Sequence, residues 1–363
     1  MLDDLLGDFD FNAKGEDFVY ETKEGWGEFV AADPEAPLPA TMSEYESLGF
    51  ADRALYNLAR ERYMTVGARI STPQLRSAAQ AIRHAMADNR SPDSSKSGVV
   101  ISGRAGLGKT TAVHEFGRAF ERARRRRSDS SVRDLFPVAY ASVPSHASGK
   151  SMVAQFAKFY GIPFSQTTRY DALLDRVTHV MRACSTELVI VDDIHRLDLH
   201  YRPNEQVADA LKELSERCPG TLVYAGVDVA RNGLFWGTRG EQIMSRFELV
   251  KFEPYSIDDP EGSAVWGSVL LDLESSLNLI NQERGALKTV ASELHHLSAG
   301  SIGRLAKSVR RAARRAIAER RERLDLDEVL AHLASQRDSE GWAEIEVRPP
   351  SPRPKPGRPV RRR

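Results

Sequence analysis

Short apolar runs alternate with amphipathic stretches along most of the chain. Residues 51–62 and 73–89 carry apolar positions at helical spacing, and the second stretch follows Thr72 and begins at Pro73. Threonine is a good N-cap and proline fits the first turn, so a helix is predicted there. The segment 91–98 is a predicted loop. The run GVVISG at 98–103 is short and apolar, as in a buried strand, and a helical pattern follows it.

The alternation continues to about residue 258. The further predicted strands cover 137–143, 187–191, 221–225 and 247–252, and the helices between them cover 150–160, 170–183 and 206–217. Strands that alternate with helices predict a parallel sheet covered on both faces. After residue 258 the strand pattern stops. Four helical segments follow, at about 263–280, 286–298, 302–322 and 326–336.

These patterns predict an α/β fold with a parallel sheet, followed by a small all-helical lid domain. We assign residues 1–40 to an acidic, mostly disordered segment rich in Gly and Pro. Residues 41–257 form the predicted sheet domain, including an N-terminal helical extension, and residues 258–337 form the predicted lid. Residues 338–363 are a basic tail rich in proline and arginine that cannot build a core.

Charge is distributed unevenly along the chain of 363 residues, although 51 basic and 51 acidic residues cancel overall. Residues 1–50 hold thirteen acids and two bases, whereas residues 301–323 hold nine bases and two acids. The stretch 342–363 holds seven bases and two acids. This asymmetry favours basic surfaces for a polyanion, with an acidic head that competes for them. The alternative is solvated tails without a partner.

Composition excludes several classes of protein. No run of about 18 apolar residues is present, so no membrane span is expected. The acidic start differs from the basic start of a secretory signal. Cys184 and Cys218 are too few for a disulfide framework or a four-thiolate zinc site. We expect a cytoplasmic protein.

The motif GRAGLGKT matches the phosphate-binding loop G-x-x-x-x-G-K-[ST] without a mismatch, between a predicted strand and a predicted helix. Glycines let successive backbone N–H groups turn toward phosphate oxygens. Lys109 is expected to reach the β- and γ-phosphates, and Thr110 to bind Mg²⁺. The predicted nucleotide-binding residues here are Gly103, Arg104, Ala105, Gly106, Leu107, Gly108, Lys109, Thr110 and Thr111. A second Gly-Lys-Ser at 149–151 has Pro144 where the motif needs glycine, so we predict only a loop and a helix start.

The segment LVIVDDIH at 188–195 supplies the second half of the predicted site. A carboxylate at the end of such a strand falls beside the phosphate loop, so Asp192 is expected to hold Mg²⁺ through water. Asp193 is placed to orient or deprotonate the attacking water. Its side chain is shorter than the glutamate common in P-loop ATPases. The alternative is a strand capped by two surface acids. No N-K-x-D motif is present, which favours ATP over GTP.

With GRAGLGKTT, VIVDDIHRL, TLVYAGVD and SRFELVKFEPY, the sequence resembles AAA+ ATPases, and more narrowly the TniB/TnsC-like regulators of DNA transposition. The resemblance covers roughly residues 50–335. It implies that ATP lets subunits assemble as a ring or filament on duplex DNA. It also implies that the assembly serves a separate transposase, with a further targeting protein as an optional partner. Relatives place Thr or Asn after the fourth strand as a γ-phosphate sensor, and Asp228 is the nearest polar residue here.

The resemblance also implies roles for two arginines. Arg246 precedes the last strand, where AAA+ proteins project an arginine into the neighbouring subunit's nucleotide. Arg304 follows GSIG at 300–303 and matches the family's second sensor. The alternatives are a surface arginine at a helix end for Arg246 and a lid residue without a role in nucleotide binding for Arg304.

Two basic clusters are candidates for non-specific contacts to DNA phosphates. They are Arg118, Arg122 and Arg124 to Arg127 at the end of the P-loop helix, and Arg310, Arg311, Arg314 and Arg315 on the lid. A solvated helix face is the alternative for each. His195 is expected to pack or hydrogen-bond, and His295 and His296 lack a metal-ligand partner set, so no metal beyond Mg²⁺ is expected.

Three functions are consistent with these features. The first is an ATP-dependent, DNA-binding regulator that recruits or activates a transposase. The second is an AAA+ ATPase of another role, such as a replication-initiator-like loader or a defence ATPase. The third is a nucleotide-gated interaction switch with little hydrolysis.

Overall fold

The computed structural model describes residues 18–38, 41–67, 70–91, 96–128, 135–145, 147–197, 204–229 and 244–339. The acidic residues 1–17 and the basic tail after residue 339 lie outside this part of the chain. None of the helices in the described ranges is long and apolar enough to cross a membrane.

The strands and helices follow the predicted alternation. The strands are β1 (Gly98–Gly103), β2 (Val138–Ser142), β3 (Leu188–Asp192), β4 (Thr221–Val227) and β5 (Phe247–Phe252). The helices of the N-terminal region and the sheet domain are α1 (Lys23–Ala31), α2 (Met42–Ser47), α3 (Phe50–Arg62), α4 (Pro73–Asp88), α5 (Lys109–Arg127), α6 (Gly149–Phe159), α7 (Tyr170–Ala183) and α8 (Asn204–Arg217). The later helices are α9 (Pro260–Ser275), α10 (Ala286–Thr289), α11 (Ala291–Ser298), α12 (Ile302–Ala318) and α13 (Leu326–Ser339).

The five strands form one parallel sheet in the order β2-β3-β4-β1-β5. β1 lies between β4 and β5, with Gly98 opposite Leu222 and Phe247. β1 and β3 are buried at every position. Burial on both faces explains why their sequences are continuous apolar runs without polar alternation. The predicted α/β fold with a helical domain after the sheet is confirmed.

The N-terminal segment is ordered where the structure describes it. Trp26 is fully buried, Phe29 and Val30 are nearly so, and α1 packs against α5. The Trp26 indole Nε1 donates a 2.8 Å hydrogen bond to Glu121 Oε2, and a Cβ at Gly117 would lie only 2.9 Å from the Trp26 ring. The prediction that residues 1–40 are mostly disordered is therefore wrong for residues 18–38, because three apolar side chains within an acidic segment join the core.

The helical extension packs against the lid. Met64 is fully buried in the core of the helical domain, beside residues such as Trp266 and Leu305. Arg60 and Glu322, both without exposed side-chain surface, form an ion pair at 2.6 Å. The sequence predicts that residues 41–257 form one nucleotide-binding domain. Within that range, Arg60 and Met64 contact the helical domain, whereas α4 packs on β1 and β5.

The lid helices bury one apolar face each, as their spacing predicts. The fully buried members of this core include Leu270, Leu273, Leu294, Leu305 and Val309. The predicted helix at 286–298 is divided into α10 and α11 at Val290, and the predicted helix at 302–322 ends at Ala318. The start of α12 faces the sheet domain, which brings the lid to the phosphate loop.

Candidate nucleotide-binding site

The GRAGLGKT loop leaves the end of the central strand. Gly103 is the last residue of β1 and Lys109 is the first of α5. Gly106 and Gly108 have φ angles of +76° and +89°, a left-handed region that glycine adopts without steric cost. The loop therefore stands at the carboxyl edge of the sheet with a long helix starting behind it, which is the arrangement that binds phosphate in P-loop proteins.

Lys109 lies at the centre of this edge. Its Nζ donates a 2.7 Å hydrogen bond to the Arg104 carbonyl. Burial lowers the Lys109 pKa, while the nearby carboxylates of Asp192, Asp228 and Asp193 act in the opposite direction. The fold thus collects three carboxylates around one ammonium group, two of them adjacent at the end of β3 and the third just after β4.

Asp192 is the last residue of β3 and is almost fully buried. Its carboxylate accepts hydrogen bonds from the Thr110 hydroxyl, from the Asp193 backbone N–H at 2.8 Å and from the Tyr140 hydroxyl at 3.3 Å. Burial raises the Asp192 pKa. A hydroxyl and a carboxylate in contact are oxygen donors of the kind that Mg²⁺ takes together with phosphate oxygens. Thr110 and Asp192 therefore fit the predicted metal site.

Asp193 has an unusual backbone conformation, with φ at +56°. Its Oδ2 lies 3.0 Å from Arg196 Nη2 and 3.4 Å from the hydroxyl of Ser142, which ends β2. The side chain is partly exposed at the edge where the phosphate loop stands. Sequence reasoning did not identify Ser142 or Tyr140 as partners of the two aspartates, because these contacts join β2 to the end of β3 and depend on strand order. It also missed Arg196, although that contact is local, three residues after Asp193.

Asp228 and His195 fix the end of β4. The Asp228 backbone N–H donates to the Gly103 carbonyl at 3.3 Å, with a φ of +44° at Asp228. His195 Nδ1 accepts a 3.2 Å hydrogen bond from the Val227 backbone N–H, so its ring is neutral at that nitrogen. Burial lowers the His195 pKa. The prediction of a hydrogen-bonding role for His195 is confirmed.

The lid touches the phosphate loop at the beginning of α12. The Gly106 carbonyl accepts hydrogen bonds from Ser301 Oγ and from the Gly303 backbone N–H, both at 2.9 Å. Arg304 follows directly and is half-buried. The motif GSIG marked this segment in the sequence, but its contact with the loop was not predicted.

Arg246 lies at the other end of the sheet. Its carbonyl accepts from the Gly98 backbone N–H at 3.1 Å, so Arg246 is level with the start of β1, whereas the phosphate loop follows the end of β1. Five residue steps at about 3.3 Å place these two ends about 17 Å apart. The Arg246 side chain is exposed, and Nη1 lies 3.8 Å from Glu216. It is not part of the pocket of its own chain.

The basic cluster at the end of α5 does not form a free positive face. Arg118 is buried and forms an ion pair with Glu115 at 2.6 Å. Arg122 Nε donates to the Val30 carbonyl at 2.6 Å, and Arg125 pairs with the buried Glu121 at 2.7 Å. Arg124 pairs with Glu187. These arginines attach α1 and the sheet to α5, although Arg125, Arg126 and Arg127 are exposed to solvent.

The cluster on the lid is similarly engaged. Arg310 is only partly exposed, which contradicts its predicted place on the open side of α12. Arg314 pairs with Glu61 at 2.6 Å, and Arg315 pairs with Glu319 at 2.7 Å. Arg311 Nη1 lies 2.9 Å from His332 Nε2. Carboxylate partners reduce the positive potential that these residues offer to a polyanion.

A sequence model of the bacterial TniB protein family matches residues 60–257. Among solved structures, the chain is similar to the Cdc6p protein of Pyrobaculum aerophilum, at 15% identity and a TM-score of 0.52, over 77% of this chain and 70% of that chain. It is also similar to the Aeropyrum pernix ORC1 protein, whose structure was solved in complex with DNA, at 17% identity and a TM-score of 0.52, over 79% of this chain and 72% of that chain. At these identities the likeness shows the fold, that of a P-loop AAA+ ATPase. No curated protein matches the chain.

Proposed function

Because this chain belongs to the TniB family, we propose that it is an ATP-dependent AAA+ regulator that assembles on target duplex DNA and recruits or activates a transposase. The observation that carries the nucleotide part of this proposal is the gathering of Lys109, Thr110, Asp192 and Asp193 at the carboxyl edge of the sheet. Such an edge, with a phosphate loop and two acids, is suited to a nucleoside triphosphate and its metal ion.

Each residue has a distinct part in this proposal. The N–H groups of residues 103–111 and the Lys109 ammonium hold the phosphates. Thr110 and Asp192 hold Mg²⁺, which when bound neutralises charge on the transferring phosphoryl group. Asp193 orients the attacking water, and Asp228, beside Gly103, senses the γ-phosphate. Arg304 joins the pocket from the lid. The lack of N-K-x-D favours ATP as the nucleotide.

Assembly follows from the position of Arg246. An exposed arginine level with the start of β1, while the phosphate loop follows the end of that strand, has no cis partner in the loop. In a head-to-tail ring or filament, however, it would meet the nucleotide of the next subunit. The charge of such an arginine stabilises the transition state of phosphoryl transfer, as arginine fingers do in other NTPases. We therefore propose that nucleotide is bound between subunits.

DNA binding is proposed to be independent of sequence. Contacts to phosphates need only positive charge, and they are salt-dependent because bound counterions are released. The candidate surfaces are the exposed arginines of α12 and the basic tail at 338–363, most of which lies outside the described residues. A transposase, and a further targeting protein, would bind the assembled protein on DNA.

A second candidate is a nucleotide-gated switch that hydrolyses ATP slowly. The observation that favours it is the state of Asp193, a short carboxylate already engaged by Arg196 and Ser142. A water-orienting carboxylate is most effective when it is free to accept from the water. Under this alternative, ATP binding alone would set the assembled state.

The proposal is tested by binding ATP and DNA to the parent, Lys109→Ala and Asp193→Asn proteins. Lys109→Ala removes ground-state charge from the phosphates and should abolish both ATP binding and ATP-dependent DNA binding. Asp193→Asn should bind ATP as the parent does and remain on DNA longer, since only the attack of water is impaired. Equilibrium binding of a fluorescent ATP analogue and of labelled duplexes at low and high salt gives both results. ATP binding by Lys109→Ala at parental affinity, or DNA affinity that does not change with salt, would contradict the proposal.

A further inference from the structure

One carbonyl of the phosphate loop is held by the helical domain. Gly106 O accepts two hydrogen bonds of 2.9 Å, one from the Ser301 hydroxyl and one from the Gly303 backbone N–H. Ser301 is 5% exposed, so this contact is shielded from water. The two donors belong to the segment that begins α12, almost 200 residues away in the chain.

The close approach depends on glycine at position 303. A Cβ there would lie 2.6 Å from the Gly106 oxygen and 3.2 Å from the Gly106 Cα, which the rigid loop backbone could not accept without moving. On the other side, Gly300 has a φ of +66°, and a Cβ would lie 2.3 Å from the Tyr255 carbonyl oxygen. The start of α12 is thus fixed between the exit of β5 and the phosphate loop.

The Ser301 hydroxyl has no competing role in its own helix. Ser301 is the N-cap residue of α12, but its side chain makes no capping hydrogen bond. Serine at an N-cap ordinarily accepts from a backbone N–H within the first turn. Here the hydroxyl is directed to Gly106. Its contribution is therefore to the loop and not to the stability of α12.

The geometry of the peptide unit gives this contact a consequence for phosphate binding. A trans peptide is planar, so the Gly106 carbonyl and the Leu107 N–H point in opposite directions. With the carbonyl directed to the lid, the N–H is directed away from it. In a phosphate-binding nest the N–H groups converge on the anion and the carbonyls point outward. The lid contact holds this peptide in the orientation that phosphate requires.

We propose that Ser301 and Gly303 are positioning residues that set the Gly106–Leu107 peptide for phosphate and so couple nucleotide binding to the lid. This inference rests on the proposed nucleotide site. It assigns a function to two residues that touch the loop from outside and never reach the phosphates. By linkage, bound nucleotide strengthens the lid contact by the same factor as the contact strengthens nucleotide binding.

The test compares Ser301→Ala with Ser301→Thr, using the dissociation constant for a fluorescent ATP analogue with Mg²⁺. Loss of one neutral hydrogen bond to a buried carbonyl should weaken binding about three- to tenfold in Ser301→Ala. Ser301→Thr keeps the hydroxyl and should restore most of the affinity. Ser275→Ala, which removes an exposed hydroxyl of α9 bonded within its own helix, is the matched control and should bind as the parent does.

Gly303→Ala should weaken nucleotide binding more than Ser301→Ala, whereas Gly27→Ala, where no heavy atom lies within 4 Å of the added Cβ, should not. Hydrogen exchange at the Leu107 amide in the presence of nucleotide supplies a second readout, since loss of the lid contact should speed exchange there. If Ser301→Ala binds the ATP analogue with parental affinity while Lys109→Ala does not bind it in the same assay, the inference is wrong but the proposed function is not affected. Absence of nucleotide binding in the parent would instead refute the proposed function.

Discussion

His114 is a buried ionisable residue just behind the phosphate loop, in the second turn of α5. Its ring stacks on Tyr20 at 4.2 Å between centroids and meets Tyr140 edge-on at 4.7 Å. Nε2 has no hydrogen-bond partner among the described residues. Burial, with a smaller contribution from Arg118, lowers the His114 pKa to about 4. The aromatic rings of Tyr20 and Tyr140 therefore surround an imidazole that is neutral in the folded protein.

This environment makes stability depend on pH. The folded pKa of about 4 lies below the unfolded value of 6.5, so the unfolded state binds the proton first as pH falls. The stability from neutral His114 is present above pH 6.5 and is lost on acidification toward pH 4. Between pH 7 and pH 5 the loss from this residue is about 2 kcal/mol.

We predict that between pH 7 and pH 5 the free energy of unfolding of His114→Phe falls by about 2 kcal/mol less than that of the parent protein. Urea unfolding at the two pH values measures this difference. His84→Gln, which changes an exposed histidine of α4, should keep the parental pH dependence. An equal loss of stability in His114→Phe and the parent would show that His114 is not held neutral by its burial.

At the scale of elements, the N-terminal region joins the two domains. α1 packs on α5, α3 contacts the lid through Arg60 and Glu61, and α4 packs on the sheet. Arg60 in α3 donates to Glu322 between α12 and α13, to Asn57 and to the Asn278 carbonyl. Its guanidinium lies 4.8 Å from the Tyr56 ring centroid. This network is fully desolvated, so its two charges depend on each other.

Removal of one charge from this pair should therefore be costly. Arg60→Met leaves Glu322 buried without a counter-ion and should lower the free energy of unfolding by about 3–5 kcal/mol. The double variant Arg60→Met/Glu322→Gln should be more stable than Arg60→Met, because a neutral amide needs no cation. Arg314→Met, which breaks a half-exposed pair with Glu61, should cost about 1 kcal/mol or less and serves as the control. Equal stability of Arg60→Met and Arg314→Met in urea would refute a structural role for the buried pair.

The sequence alone predicts those parts of the fold and site whose residues lie in one continuous segment. The phosphate loop, the acids after β3 and the order of strands and helices follow from local spacing and apolar runs. It does not predict contacts between segments that are distant in the chain. Ser301 and Gly106 are a pair of this kind, since each belongs to a recognisable motif but no local pattern predicts their contact. The acidic composition of the N-terminal region concealed Trp26, and the arginines of α5 looked free because their partners Glu121 and Glu187 could not be placed beside them.

At the scale of the whole molecule, the two halves of the proposed catalytic site lie at opposite edges of one domain. The phosphate loop and its acids stand at the carboxyl edge of the sheet, and Arg246 is exposed at the amino edge. A monomer thus carries both parts but cannot bring them together. If a second subunit supplies the missing arginine, hydrolysis requires assembly, and assembly in turn depends on nucleotide. We therefore propose that each active site is shared by two subunits.

The shared site is tested most directly by the ATPase activity of a mixture of two inactive variants. Arg246→Ala should bind ATP as the parent does but fail to hydrolyse it, and Lys109→Ala should fail to bind it. In mixed assemblies an intact phosphate loop can meet an intact arginine at some interfaces, so the mixture should recover part of the parental ATPase rate. A cis role for Arg246 predicts no recovery. An inactive mixture in which size measurements show mixed assemblies, or parental activity of Arg246→Ala alone at high protein concentration, would contradict the shared site.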